Sequence, residues 1–338
     1  MNKKIKWGII APGRIAHRFA DAFKDMGDGE LYGVASRDID RAREFASTHT
    51  IPYVFDTYGA LINNPDIDAI YIASPHRYHF DTAKECLDAG KAVLCEKPLT
   101  VTAKQSEALF SIARENQAFL MEALWSRFLP CWQQVKNWIN QGEIGDIQLL
   151  RSSFGFQPEN NKTNERLYNL DLAGGSLLDT GIYNIALSQF VLEQKPTHIH
   201  SSVIVGDTGV DERCSVLMDY EGITSQFTCS FLSKLDNEFH ITGSMGTIVV
   251  EGNFWEATSA KLILNNGHTE AFTQAYRSSG FEYQVDEVHQ CLLEKRQFSE
   301  NMSPQATIEN MKIMDEILDK AGVNYPLLID NKKIHPVN

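Results

Sequence analysis

Ile9-Ile10-Ala11-Pro12-Gly13-Arg14-Ile15-Ala16 closes an apolar run that begins at Ile5 and opens a stretch with helical periodicity, Ile15–Met26. It is the pattern G-x-G-x-x-G/A with Ala11 where the first glycine belongs. In a strand, turn and helix of this kind Gly13 lets the backbone approach a pyrophosphate and Ala16 lets helix and strand pack closely. The helix N-terminus then offers free N–H groups to the anion. The same residues suit a small-residue turn that binds nothing, so the motif takes its weight from its surroundings.

Those surroundings repeat it. Short apolar runs at Ile5–Ala11, Glu30–Ala35, Ala69–Ser74, Ala92–Cys95 and Phe119–Met121 alternate with amphipathic stretches at Ile15–Met26, Asp40–Thr48, His79–Ala89 and Ala103–Glu115. Strands separated by helices need crossover connections, and right-handed crossovers build a doubly wound parallel sheet. Beyond Glu122 strand candidates follow one another through tight turns: Ile147–Phe156, Thr197–Val205, Cys214–Tyr220, Ile223–Phe231, Glu238–Thr242, Thr247–Val250 and Lys261–Leu264. Helices are expected at Leu129–Gln141, Ser176–Leu192, Phe281–Lys295 and Pro304–Ala321, the last with Ser303 as cap and Gly322 past its end. The expected fold is α/β: a dinucleotide-binding domain over residues 1–122, and an α+β substrate domain over 123–338 with a large open, mostly antiparallel sheet. Two domains make a cleft between them plausible. If helices cover one face of that sheet, the other, with Val203, Val205, Phe227 and Phe231, is a candidate self-association surface.

Composition agrees. The chain has 338 residues, 43% of them hydrophobic and 22% charged, which is ordinary for globular proteins and excludes disordered, collagen-like and disulfide-scaffold classes. Its net charge of −13, concentrated beyond Glu122, argues against nucleic acid and membrane surfaces as partners. Six scattered cysteines without a C-x-x-C pair indicate reduced thiols and a cytoplasmic setting. Lys3, Lys4 and Lys6 resemble the start of a signal segment, but the apolar run after them is too short and Pro12 ends it. No stretch is long and apolar enough for a membrane span.

The end of the second strand decides the dinucleotide. An acidic side chain there grips the ribose 2′-hydroxyl of NAD, but Leu31–Ala35 is followed by Ser36-Arg37. Ser36 can donate to a 2′-phosphate, and Arg37 can pair with it and stack on adenine, which favours NADP over NAD. Asp38 keeps the alternative open, since a strand one residue longer makes it the ribose ligand. Two more strand ends, Ser74-Pro75-His76-Arg77-Tyr78-His79 and Glu96-Lys97-Pro98, face the same crevice. The cofactor candidates are therefore Ala11, Gly13, Arg14, Ile15, Ser36, Arg37, Ser74, His76, His79, Glu96 and Lys97. His76 and His79 have no third ligand nearby, so no metal is expected, and a plain helix-entry role stands beside the binding one. Lys97–Pro98 is a bond at which a cis peptide is accommodated.

Together with Cys95-Glu96-Lys97-Pro98-Leu99 and Gly174-Gly175-Ser176-Leu177-Leu178-Asp179-Thr180-Gly181-Ile182-Tyr183, the segments Ala11–Ala16 and Ser74–His79 resemble the Gfo/Idh/MocA oxidoreductases along essentially the whole chain. Glu-Lys-Pro combined with Gly-Gly-x-x-x-Asp-x-Gly is much more specific than the glycine turn. Met121-Glu122-Ala123-Leu124-Trp125-Ser126-Arg127-Phe128-Leu129-Pro130 and Gly181-Ile182-Tyr183 resemble its branch of dimeric dihydrodiol dehydrogenases and NADP-dependent D-xylose dehydrogenases. The resemblance implies a Rossmann domain, NADP, a homodimer joined through the open sheet face, and a catalytic set of Lys97, Asp179 and Tyr183. Most other branches carry His where Tyr183 stands, so mechanisms needing that His are not carried over.

Oxidising an alcohol by hydride transfer needs a group that takes the hydroxyl proton. Asp179 and Tyr183 stand i,i+4 on the helix opened by Gly174-Gly175, which places both on one face. A phenol with a pKa of about 10 is a poor base near neutrality, but an adjacent ammonium, here Lys97, favours the phenolate. Lys97 as base with Tyr183 as orienter stays open, and Asp179 orients Lys97 or a second hydroxyl. Trp125, Phe154 and Tyr168 are candidate substrate walls, whereas Phe128 and Phe156 read as core packing. Arg127 and Arg166 suit an anionic substrate or plain solvent exposure. The expected function is NADP-dependent hydride transfer with a secondary alcohol of a sugar, polyol or cyclic vicinal diol. Two other readings are a redox-assisted lyase or glycosidase with tightly held cofactor, and a dinucleotide-sensing regulator without catalysis. The retention of Lys97, Asp179 and Tyr183 together argues against the regulator.

Overall fold

The computed structural model describes residues 4–158 and 165–326; Lys3 lies outside them. The chain divides into two compact units, Met1–Leu129 with Gln274–Ile308, and Pro130–Thr273 with Glu309–Asn338.

The first unit runs β1 (Ile5–Ile10), α1 (Arg14–Ala22), β2 (Gly29–Ala35), α2 (Ile39–His49), β3 (Tyr53–Phe55), α3 (Tyr58–Ile62), β4 (Ala69–Ile72), α4 (His79–Asp88), β5 (Ala92–Glu96), α5 (Ala103–Glu115) and β6 (Leu120–Ala123). All its strand pairs are parallel, in the order β3-β2-β1-β4-β5-β6. The order reverses between β1 and β4, and in such sheets the crevice at that reversal binds the ligand. β4, β5 and β6 are buried along their whole length, as expected of strands with helices on both faces. Ile10, Ile70, Ile72 and Val93 pack with Leu87, Leu109 and Phe110 from α4 and α5 on one face. Each of α2, α3 and α5 is capped by a side chain, of Asp38, Thr57 and Thr102, which accepts from backbone N–H groups of the first turn.

The two units differ from the division at Glu122 expected from sequence. The turn through Leu129 stays with the first unit, and so does Gln274–Ile308, which sequence assigns to the second domain. The physical reason is a buried tie. Trp7 Nε1 in β1 donates to His289 Nε2 at 2.9 Å, and His289 Nδ1 lies 3.0 Å from Asp28. Nothing in the local pattern of residues 274–308 announces that long-range bond.

The second unit contains α6 (Pro130–Asn140), β7 (Ile147–Gly155), α7 (Glu165–Tyr168), α8 (Ile182–Leu192), β8 (His198–Val205), β9 (Asp211–Tyr220), β10 (Ile223–Ser230), β11 (Phe239–Gly243), β12 (Gly246–Val250), β13 (Ser259–Leu264) and β14 (Thr269–Thr273). The remaining helices are α9 (Glu282–Leu293), in the first unit, and α10 (Pro304–Ala321), which the unit boundary crosses. Eight strands form one sheet in the order β14-β13-β12-β11-β7-β10-β9-β8, antiparallel except between β7 and β10. Along the central strands burial alternates: Leu150, Phe154, Val216, Met218, Phe227, Ile241 and Ile248 are buried. Arg151, Ser153, Ser215, Gln226, Thr228 and His240 instead line a shallow depression of about 720 Å³. Phe227 and Phe231, expected on the open face, are thus on the covered one, at 3% and 1% exposure.

Candidate active site

At the end of β1 the chain turns sharply. Ala11 adopts φ 59°, the left-handed region that glycine favours, while its N–H donates to Ala35 O at 3.0 Å. The turn expected of a glycine is kept by alanine, at a cost of about 1–2 kcal/mol for an L side chain in this region. Gly13 is extended and precedes α1, whose first turn has no side-chain cap. A Cβ placed on Gly13 meets nothing nearer than Ala11 O at 4.0 Å, so packing within the protein is not what keeps this position small. Ser74, 8% exposed just past β4, has a hydroxyl without a hydrogen-bond partner among the described residues. Uncapped amides, open space over Gly13 and an unmatched hydroxyl are the features a bound pyrophosphate uses, so these residues fit a dinucleotide.

Past β2, the Asp38 carboxylate accepts from Asp40 N–H at 3.1 Å and Arg41 N–H at 3.2 Å, the cap of α2. That one oxygen serves the helix. The Ser36 hydroxyl accepts from Asp38 N–H at 3.2 Å, and the Arg37 guanidinium lies 5.2 Å from the Tyr78 ring centroid and bonds the Tyr58 hydroxyl. Tyr58, three residues past β3, and Tyr78, in the segment after β4, are not among the candidates taken from sequence. Arg14 and Ile15 open α1 on its exposed side.

His76 and His79 part company. His76 is 5% exposed. His79 is fully buried, with its ring nitrogens 2.7 Å from Ser74 O and 2.8 Å from Pro98 O. His79 thus ties the two strand-end loops together. Glu96 is 8% exposed and accepts from the Tyr71 hydroxyl with one oxygen and from Lys97 N–H at 3.3 Å with the other. Tyr71 stacks on Phe19 of α1, centroids 3.8 Å apart. The peptide Lys97–Pro98 is cis. Trp125 is 3% exposed, under the Arg18 guanidinium at 4.2 Å and against Phe281.

In the second unit, Leu177–Gly181 is a π turn that runs directly into α8. Asp179 therefore sits in a widened turn and Tyr183 in the α-helix behind it, rather than both on one α-helix as expected; π segments of this kind are frequent at functional sites. Asp179 pairs with Arg166 at 3.0 Å, which gives that arginine a local partner. Tyr183 is 7% exposed, and its ring centroid lies 5.8 Å from that of Phe154. Phe154 stacks nearly parallel on Trp255, a residue the sequence reading missed; its signal is the Phe254-Trp255 pair directly after the Gly252-Asn253 turn. Tyr168, a substrate-wall candidate from sequence, is buried with Leu167, Val210 and Phe231 in a small apolar cluster, against which Phe156 packs.

The turn that opens this helix is held from a distance. One Asp211 oxygen accepts from the Ser176 hydroxyl at 2.8 Å and from Leu177 N–H at 2.7 Å, so an acid on β9 caps the segment bearing Asp179 and Tyr183. Its other oxygen has no hydrogen-bond partner among the described residues, and burial pushes the carboxyl up to about 6, against those donors. Tyr325 donates to Gly174 O at 2.7 Å. Among the described residues no group of three or more His, Cys, Asp or Glu is placed to hold a metal.

The similarity of the chain to known proteins follows these lines. Residues 5–124 match the oxidoreductase family with an NAD-binding Rossmann fold, and residues 132–249 match the GFO/IDH/MocA C-terminal domain. The trans-1,2-dihydrobenzene-1,2-diol dehydrogenase of Xenopus laevis is 35% identical over 333 residues, covering 95% of this chain and 99% of that protein. The Mus musculus protein of the same name is 34% identical over 338 residues, covering 95% and 98%. KijD10, a 3-ketoreductase from Actinomadura kijaniata solved with NADP and TDP-benzene, aligns with a TM-score of 0.82 at 26% identity, covering 94% of this chain and 98% of that one. An aldose-aldose oxidoreductase from Caulobacter crescentus shares the fold, with a TM-score of 0.86 at 21% identity and coverage of 95% and 98%. The chain belongs to the Gfo/Idh/MocA family of oxidoreductases. It is an enzyme whose first unit is built to bind a nicotinamide dinucleotide.

Proposed function

We propose that the chain is an NADP-dependent dehydrogenase of secondary alcohols in sugars, polyols or cyclic vicinal diols. The observation that supports the cofactor choice is the placement of Ser36 and Arg37 at the end of β2, where one oxygen of Asp38 already accepts both N–H groups of the α2 cap. Full-length relatives named for a dihydrobenzene diol support the substrate class.

When bound, the nicotinamide accepts or returns the hydride. The chain's own residues do the rest. Tyr183 takes the proton from the substrate hydroxyl and gives it back in the reverse direction. Lys97 supplies the positive charge that favours the phenolate and donates to the same oxygen. Asp179, paired with Arg166, orients a second hydroxyl, for which a vicinal diol is suited. The aromatic pair Phe154 and Trp255 offers a flat apolar face for a ring, and Trp125 is proposed as a further substrate contact. A homodimer joined through the open sheet face and a reducing, cytoplasmic setting belong to the same proposal. The latter is supported by six free, buried cysteines. No described helix is long and apolar enough to cross a membrane.

Michaelis constants for NADP and NAD test the cofactor assignment. The constant for NADP is expected at least ~10-fold lower, and Arg37→Ala should remove most of that difference, because a charge-assisted phosphate contact is lost. Equal constants in the wild-type chain contradict the assignment.

A further inference from the structure

Glu122 is a buried acid that these roles leave without a task. It lies on β6, opposite Cys95 in the pairing with β5, and is 1% exposed. One carboxylate oxygen accepts from Leu99 N–H at 2.9 Å, and the other from the Thr307 hydroxyl of α10 at 2.9 Å. Leu99 is two residues past Lys97, across the cis Lys97–Pro98 bond. The chain is thus tied on both sides of the lysine: before it by Glu96 to Tyr71, after it by Leu99 to Glu122.

The surroundings show why an acid stands here. Facing Glu122 are the Cys95 thiol on β5, Lys97 beyond that strand and Arg127 in the turn Trp125–Phe128, while α10 brings the Thr307 hydroxyl. Burial pushes the Glu122 carboxyl up to about 7, against the Leu99 N–H, the Thr307 hydroxyl and the charges of Arg127 and Lys97, which all hold it down. Holding the Leu99 N–H needs only a neutral acceptor, and a buried carboxylate is a costly way to provide one. What the acid adds is negative charge felt by Arg127 and, more weakly, by Lys97.

We infer that Glu122 is a positioning residue for Lys97, fixing the loop that carries the ammonium and supplying the negative charge that keeps it protonated toward alkaline pH. The inference rests on the proposed role of Lys97 and adds to it. Above its own titration Glu122 is anionic, so it raises the affinity of Lys97 for its proton. Removing the charge must therefore move the loss of activity at high pH to lower pH.

The test is Glu122→Gln, which keeps an acceptor for Leu99 and deletes the charge. NADP affinity, read by quenching of protein fluorescence, is expected to stay within about 2-fold, while the alkaline limb of the kcat/KM profile falls by ~1 pH unit. Glu122→Asp, which retains the charge, should keep the limb at the wild-type position even if its shorter side chain lowers the melting temperature. A Gln variant with the wild-type limb overturns the inference, whatever its stability. Lys97→Met separates this from failure of the underlying reading. If that variant retains wild-type turnover, the role of Lys97 fails. If it is inactive while Glu122→Gln keeps its limb, only the inference about Glu122 fails.

Discussion

Tyr183→Phe should lower turnover at least ~100-fold while leaving NADP binding within a factor of two, because general acid–base catalysis by a placed side chain contributes on that scale. The substitution removes one oxygen from a ring that is already packed: Tyr183 is 7% exposed, and its neighbour Phe154 is fixed by stacking on Trp255. Phenylalanine keeps those apolar contacts, so the melting temperature should hold. The expected signature is a loss in kcat with an unchanged affinity for the dinucleotide. That pattern marks an interaction made in the transition state rather than in uniform binding. Turnover within a factor of three of wild type would remove Tyr183 from the mechanism and leave Lys97 as the base.

Gly175→Ala should be strongly destabilising, with an expected loss of about 2–4 kcal/mol. Two causes act together. Gly175 has φ 122°, a conformation that side-chain-bearing residues rarely adopt. A Cβ there also meets the unpartnered Asp211 oxygen at 2.2 Å. Asp211 cannot yield without releasing Ser176 and Leu177, so relief of the clash uncaps the segment that carries Asp179 and Tyr183. Thermal unfolding and turnover measured on the same preparation check this. Both should fall. A variant that melts within 1 °C of wild type would show that the Asp211 cap does not anchor the helix.

Much of this was legible in the residues. The alternation from Ile5 to Met121 yields the parallel sheet because its apolar runs at β4, β5 and β6 are buried on both faces and the intervening stretches have one apolar side. α5 and α10 have the bounds the sequence reading gives them. The side-chain caps Thr102 and Ser303 fix where they start, and Gly322, at φ 72°, stands past the end of α10. β3 and α3 were missed because three partly exposed residues and a five-residue helix carry too little periodicity. The parity of the open sheet face was misread at Phe227 because strand pairing, not aromatic content, decides which side a residue faces. Phe227 stands opposite Val216 and Ser152, and the register turns all three to the covered side.

Within the site, the limits of local pattern are clearer still. Ser36, Arg37, Glu96, Lys97 and Tyr183 announce themselves by standing at strand ends or in a dense motif. The roles of His79, Asp211 and Glu122 depend on partners 19, 34 and 185 positions away, to which no spacing rule points. The π turn at Leu177–Gly181 is a further case: an i,i+4 pair reads as α-helical in sequence, and only the fold shows the widened turn in which Asp179 lies.

The central claim is that this enzyme moves a hydride from a secondary carbinol carbon to NADP. Turnover of a cyclic vicinal diol deuterated at both carbinol carbons, with NADP, tests it most directly. The account predicts accumulation of free reduced dinucleotide bearing one deuterium at nicotinamide carbon 4 for each ketone formed. Product that forms while the NADP pool stays unlabelled and oxidised would contradict it.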